Sequence, residues 1–259
     1  MALQELRHKT RDVSVRLYRD GKGEPLVFLH GAAGPPPWGP FFQTLAGRHD
    51  VLVPEHPGFG LSDNPPWLRN VGDAAMYYLD FLDGLGGAPL HLVGHSLGGW
   101  IAAELAMRNG ARLKTLTLMS PAGLRVKGVA SGDNFIWSLE ETARNLFHDQ
   151  AFAERMLAHV PSDEEADIAL TNRFSATKLG WEPRWFNPAL ERWLHRIVAP
   201  TLVLWGRDDK FLPSAYAKRW GECVPNARVE IIPDCGHLPH VEKADSAAQK
   251  ILAFIGGQK

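Results

Sequence analysis

Ser96 lies in the run HLVGHSLGGW (residues 91–100), directly after a short apolar segment and between Gly94 and Gly98. A strand that ends near Val93 and a helix that starts near Leu97 leave the serine at the corner between them. A turn that sharp strains the serine backbone. It also brings strand and helix so close that side chains two residues to either side would collide, which accounts for the two glycines. Gly99 gives the helix further room to pack. The hydroxyl is lifted above the sheet, and the first amides of the helix point toward it, a ready place for an oxyanion. A serine hydroxyl becomes a nucleophile only when a neighbouring base takes its proton, and an acid must fix that base in the right tautomer.

The chain has 11 histidines. His8 and His49 fall in polar segments that look exposed, and His91 is inside a strand. His148, His159 and His195 lie in a helical stretch, and His95, adjacent to Ser96, points to the opposite side. His237 differs. It follows the last apolar run in DCGHLPHVE, and Gly236 allows a backbone turn that returns the ring over the carboxyl edge of the sheet, where sites form in open α/β sheets. His240 starts or faces the next helix. For the acid, LVLWGRDDKFLP offers Asp208 and Asp209 just past a strand end, one to face the histidine and the other to cap the turn. Asp234 is too near His237 in sequence for comfortable approach. The order is serine, aspartate, histidine, as a nucleophile at a strand–helix corner requires. The chemistry such a set performs is acyl transfer.

The elements that must position these residues are legible as apolar runs alternating with helical patterns, the signature of a mostly parallel sheet with helices on both faces. Residues 12–19, 25–30, 50–55, 89–95, 113–120, 200–206 and 227–233 read as strands. Helices are expected around 38–48, 71–85, 97–109, 214–222 and 244–256. The alternation breaks between 121 and 196, where only helical patterns occur. Residues 1–120 and 197–259 are therefore expected to form the core, and 121–196 a helical cap laid over the top of the sheet. Phe174, Trp181, Trp185, Phe186 and Trp193 crowd its second half and are expected, for the most part, to pack the cap onto the core.

With 259 residues the chain can bury a sizeable core. Its 28 Lys and Arg against 29 Asp and Glu are interspersed, so nothing favours a nucleic-acid partner or an anionic membrane. No run reaches the length that spans a bilayer, and the N-terminus lacks the apolar core of a secretory signal. Cys223 and Cys235 have no metal-type spacing and read as free thiols in a cytoplasmic protein. The spacing of HLPH is better explained by the base and the next helix than by metal ligation. GAAG after a strand lacks the dinucleotide fingerprint. No metal or organic cofactor is expected, the partner is a small-molecule substrate, and the oligomeric state is left open.

Five segments together give the chain a family resemblance: FLHGAAG (28–34), PEHPGFGLSD (54–63), GHSLGG (94–99), LWGRDDKFLP (204–213) and CGHLPHVE (235–242). It resembles the capped serine members of the α/β-hydrolase fold family over almost its whole length outside the insertion. The resemblance implies a mostly parallel, eight-stranded sheet flanked by helices, with a helical cap. In the family pattern G-x-x-D-x-x-x-P the acid falls on Asp209, with Pro213 in place, and Asp208 becomes the turn residue. The triad implied is Ser96, Asp209 and His237, with an oxyanion hole made by the backbone N–H groups of Ala32 and Leu97. Glu55 stands where an aspartate is more usual. Serine at the corner excludes the dehalogenase and epoxide hydrolase relatives, which use aspartate there. The first expectation is hydrolysis of carboxylic esters of small to medium apolar substrates through an acyl-enzyme. The alternative is a carbon–carbon bond hydrolase of ring-fission products, with Arg184 or Arg192 to hold a substrate carboxylate. That group usually has asparagine before the nucleophile and tryptophan after the base, where this chain has His95 and Leu238. A third reading, a ligand-binding protein on the same scaffold, would show a broken triad.

Overall fold

The computed structural model describes residues 3–258. Eight strands form one sheet: β1 (Gln4–Thr10), β2 (Val13–Gly21), β3 (Pro25–Leu29), β4 (Asp50–Pro54), β5 (Leu90–His95), β6 (Leu113–Met119), β7 (Thr201–Gly206) and β8 (Ala227–Ile232). Their spatial order is β1-β2-β4-β3-β5-β6-β7-β8. β2 pairs antiparallel with both β1 and β4, and every pairing from β4 through β8 is parallel.

The period-2 alternation of a strand sorts the apolar runs between two cores. Leu26 and Phe28 of β3, with Leu202 and Leu204 of β7, face α1 (Pro40–Ala46) and, beyond the short α9 (Pro239–Glu242), α10 (Ala244–Gly256) through Phe41, Phe42, Ile251 and Phe254. Val27, Leu29, Val203 and Trp205 face the opposite way. There they meet α2 (Val71–Gly84), α3 (Leu97–Asn109) and α8 (Ala215–Cys223) through Tyr78, Phe81, Ile101, Leu105, Tyr216 and Trp220. Because both faces are covered, the central strands read as unbroken apolar runs.

β1 does not appear among the apolar runs. Its sequence QELRHKT is polar and almost wholly exposed, because it is an edge strand held by its ladder with β2 rather than by burial. His49 is likewise not the exposed residue its polar setting suggests. It is buried, with its ring edge on His91.

Between β6 and β7 lie α4 (Leu139–Leu146), α5 (Gln150–Ala158), α6 (Asp163–Gly180) and the short α7 (Leu190–Trp193). Ser138 with Glu141, and Ser162 with Glu165, form reciprocal capping boxes that fix where α4 and α6 begin. The aromatic residues of this segment do not mostly pack inward. Trp185 is buried, but Phe174, Trp181 and Trp193 are 62%, 48% and 43% exposed.

Glu55, just past β4, shows how loops are pinned at the carboxyl edge. Its buried carboxylate accepts from Arg16 Nη2 at 2.6 Å, Leu61 N at 2.9 Å and Ser62 Oγ at 2.8 Å. Room for the longer acid comes from Gly60, where a Cβ would fall 1.9 Å from Glu55 Oε1. Glu55→Ala strands the largely buried Arg16 guanidinium, and should lower the unfolding free energy by about 3 kcal/mol in chemical denaturation. A loss below about 1 kcal/mol would mean that this ion pair does not hold the loop.

Candidate active site

Ser96 joins β5 to α3 with φ 51° and ψ −113°, a conformation non-glycine residues rarely adopt. The glycines around it are required by contact. A Cβ on Gly98 would lie 2.1 Å from Leu29 O, and one on Gly94 2.4 Å from Gly98 O. On Gly99 it would lie 2.7 Å from the Pro121 side chain. The corner is fastened from behind by Ser96 N donating to Met119 O at 3.0 Å.

The structure brings together the residues singled out in the sequence. His237 Nε2 lies 3.0 Å from Ser96 Oγ, and His237 Nδ1 lies 2.7 Å from Asp209 Oδ2. A carboxylate can only accept, so Nδ1 carries the proton and Nε2 is left to accept from the hydroxyl. Asp209 Oδ1 accepts from Phe211 N at 2.9 Å and Leu212 N at 2.7 Å, which aims the other oxygen at the ring. All three residues are buried. An imidazole so held can take the serine proton as the oxygen attacks a carbonyl, and the carboxylate stabilises the imidazolium that forms.

Asp208 is not the turn cap. Its side chain pairs with His148 Nδ1 at 2.9 Å, while its backbone N–H bonds Cys235 O. His148, Asp208 and Asp234 offer ligand atoms within 4.8 Å of one another, the one such metal-capable group among the described residues. Arg184 bonds Asp133 and lies over the Trp181 ring, and Arg192 lies over Trp193. Arg125, Lys127, Asp133 and Arg184 line a cavity of about 620 Å³ whose walls include none of Ser96, Asp209 and His237.

Gly31 to Gly34 form a turn closed by Gly34 N donating to Gly31 O at 3.2 Å. Neither the Ala32 N–H nor the Leu97 N–H donates to another protein atom among the described residues.

Several residues that reading the sequence missed support this turn and the base. His56 N–H donates to His30 Nε2 at 2.9 Å, so His30 carries its proton on Nδ1 and donates to Gly31 O at 2.7 Å. His56 Nε2 donates to His30 O at 2.9 Å and its Nδ1 accepts from the Tyr78 hydroxyl at 2.5 Å. The adjacency of each imidazole to a glycine turn (HG and HPG) was the only signal for them. His95 Nε2 donates to the His237 carbonyl at 2.9 Å. Glu242 bridges two amides at 2.6 Å each, Gly236 N beside the base and Asp149 N at the start of α5.

The fold and this relay define a nucleophile-at-the-corner enzyme architecture. A profile of the alpha/beta hydrolase fold matches residues 24–244, and the chain belongs to that family. It is 31% identical to a 2-hydroxy-6-oxononadienedioate/2-hydroxy-6-oxononatrienedioate hydrolase of Paraburkholderia phymatum, over 90% of this chain and 87% of that protein. It is 29% identical to a 2-hydroxy-6-oxo-6-phenylhexa-2,4-dienoate hydrolase of Comamonas testosteroni, over 94% and 92% of the two chains. Among solved structures, a bacterial membrane phospholipase A superposes with a TM-score of 0.79 at 28% identity, covering 99% of this chain and 86% of that one. Hydrolysis is the activity these relatives share.

Burial holds the imidazoles around the site neutral. His56 is lowered to about 4 and His240 to about 3, while His30 and His95 are lowered well below the ordinary value of 6.5. Below pH 6.5 the unfolded chain takes up protons that the folded chain refuses, so stability falls as pH drops from 6.5 toward 4. His56 alone should contribute roughly 2–3 kcal/mol of that loss at pH 4.5. Denaturant midpoints at pH 7 and pH 4.5 measure it; equal midpoints would mean that these rings are not buried neutral.

Proposed function

We propose that this chain is a serine hydrolase acting on ring-fission products, cleaving a carbon–carbon bond next to a ketone. Ser96 is the nucleophile, His237 the general base and Asp209 the acid that orients it. The Ala32 and Leu97 N–H groups stabilise the oxyanion, each worth on the order of 3 kcal/mol of barrier. The observation that carries the choice of substrate is the set of relatives named as dienoate and semialdehyde hydrolases, 25–31% identical over nine-tenths of the chain. In a 2-hydroxy-6-oxo-dienoate the ketone is conjugated to an enol acid. Attack by Ser96 Oγ on that ketone, with its proton passing to His237 Nε2, gives a tetrahedral adduct. For the C5–C6 bond to break, the 2-hydroxyl proton must first move to C5, giving the 2,6-dioxo tautomer. Collapse of the adduct then breaks that bond, leaves the acyl group on Ser96 and expels a dienolate whose charge spreads to the C2 oxygen and which takes the proton back from His237. Water then releases the acyl group from Ser96. No cofactor is invoked.

Residues 121–196 act in this reading as a cap. Its support is the set of bonds from that segment to the loops that bear the site: His237 N to Leu146 O at 2.7 Å and Gly132 N to Phe211 O at 2.7 Å. Ester hydrolysis is the second reading. It is favoured by the likeness to the phospholipase at 28% identity, and by His95 and Leu238 standing where the carbon–carbon hydrolases usually carry asparagine and tryptophan. No helix among the described residues is long and apolar enough to cross a membrane.

A fluorophosphonate probe should label wild type and not Ser96→Ala; a folded wild type that stays unlabelled would end both readings. Asp209→Asn should lower kcat by about 10³–10⁴-fold and Asp208→Asn by less than about tenfold, and equal losses would remove Asp209 from its role. kcat/KM measured on a 2-hydroxy-6-oxo-dienoate and on short p-nitrophenyl esters ranks the substrates. Preference for the esters by an order of magnitude or more would install the second reading.

A further inference from the structure

α6 of the inserted segment reaches the turn at Gly31–Gly34 through one side chain. Asn172 is 4% exposed, and its Nδ2 donates to Ala33 O at 2.8 Å while its Oδ1 accepts from Gly60 N at 2.7 Å. The two bonds fix the amide orientation, since the flipped form would set acceptor against acceptor and donor against donor. The contact is close: a Cβ on Gly34, which has φ +97°, would fall 2.5 Å from Asn172 Nδ2.

The turn is thereby held on both sides of Ala32. From below, His30 Nδ1 donates to Gly31 O at 2.7 Å. From above, Asn172 donates to Ala33 O. The turn also sits against the nucleophile, because a Cβ on Gly31 would lie 3.5 Å from Ser96 Cβ and 2.9 Å from His95 Nδ1. Other residues dock α6 without touching this turn. Ser175 Oγ donates to Gly58 O, and Lys178 Nζ donates to Asn64 Oδ1 at 2.7 Å. Attachment of the helix is thus shared by Asn172, Ser175 and Lys178, and of these three only Asn172 bonds the Gly31–Gly34 turn.

We propose that Asn172 is a positioning residue: from α6 it holds the Gly31–Gly34 turn so that the Ala32 N–H meets the oxyanion forming at Ser96. This rests on the reading of Ser96 as nucleophile and Ala32 as oxyanion donor. An oxyanion donor works by being in place before charge develops, and displacement of such a group by about 1 Å can cost on the order of 10²-fold in rate.

Two measurements test it without knowledge of the natural substrate: the kinetics of fluorophosphonate labelling, and the affinity of a trifluoromethyl ketone. The ketone takes up Ser96 Oγ at its carbonyl carbon, the serine proton passing to His237, to leave a tetrahedral oxyanion. In Asn172→Ala the maximal labelling rate should fall about 10- to 100-fold with the concentration for half-maximal rate changed less than about threefold, and ketone affinity should fall in parallel. Asn172→Asp keeps the acceptor for Gly60 N but sets an oxygen against Ala33 O, and should lose at least as much. Ser175→Ala, which weakens docking of α6 alone, should keep both values within about threefold of wild type, whatever its melting temperature. Wild-type labelling in Asn172→Ala, or in Asn172→Ser should the alanine variant not fold, overturns the proposal. A labelling loss without loss of ketone affinity, or an equal loss in Ser175→Ala, overturns it too. An unlabelled wild type overturns instead the reading of Ser96 as nucleophile, and with it this inference.

Discussion

The constraint on which the rest depends is the distance between two backbones. α3 starts so close to β3 that Leu29 O would meet a Cβ of residue 98 at 2.1 Å, and a turn of this kind can be closed only through Ser96 at positive φ. Such a residue costs of order 1–3 kcal/mol and persists only where the surroundings over-determine it. Here they do. Ser96 N bonds Met119 O, and Ser96 O accepts from Trp100 N and Ala122 N, so β6, α3 and the start of the inserted segment all fasten one residue. The strain fixes the hydroxyl above the sheet, and every other part of the site is built out from that point.

Because the corner is rigid, the mobile part of the problem is the loops, and these are tied mostly by backbone carbonyls. His95 takes the carbonyl of His237, His30 that of Gly31, and Asn172 that of Ala33. Each is a neutral donor in a buried setting. Burial itself keeps the imidazoles neutral, and so free of a charge that would compete with the carboxylate of Asp209. Carboxylates do the complementary work of gathering amides: Asp209 those of Phe211 and Leu212, Glu242 those of Gly236 and Asp149, Glu55 that of Leu61. The long-range order of the site is thus a set of local satisfactions of backbone groups that have no partner in helix or sheet.

The sequence made legible whatever is announced by a local rule. The elbow glycines are a steric requirement of the turn, and the central strands are continuous apolar runs because helices cover both faces. Between Asp208 and Asp209 the residues alone leave the choice open, and only the family resemblance, through the pattern ending in Pro213, implies Asp209. What it hid has in each case a tertiary cause. β1 is polar because an edge strand needs a ladder and no core. His30 and His56 are ordinary polar letters beside glycines until the fold stacks their rings 3.6 Å apart. Asn172 and Glu242 act on backbone atoms 139 and 93 residues away, and no spacing rule reaches that far. The aromatic residues of the insertion misled because inward packing is the commoner use of such side chains, whereas here Phe174 and Trp181 stay exposed.

The two departures from the carbon–carbon hydrolase pattern follow the same logic. Leu238 packs against Ala143, Phe147 and Ala153, the small apolar cluster that seats α4 and α5 on the loop of the base. His95 likewise spends its one N–H on the backbone of His237. Both residues therefore bear on how the base is anchored, one through the inserted segment and one through the core. The inserted helices, on which Phe174, Trp181 and Trp193 remain exposed, reach the Gly31–Gly34 turn through Asn172.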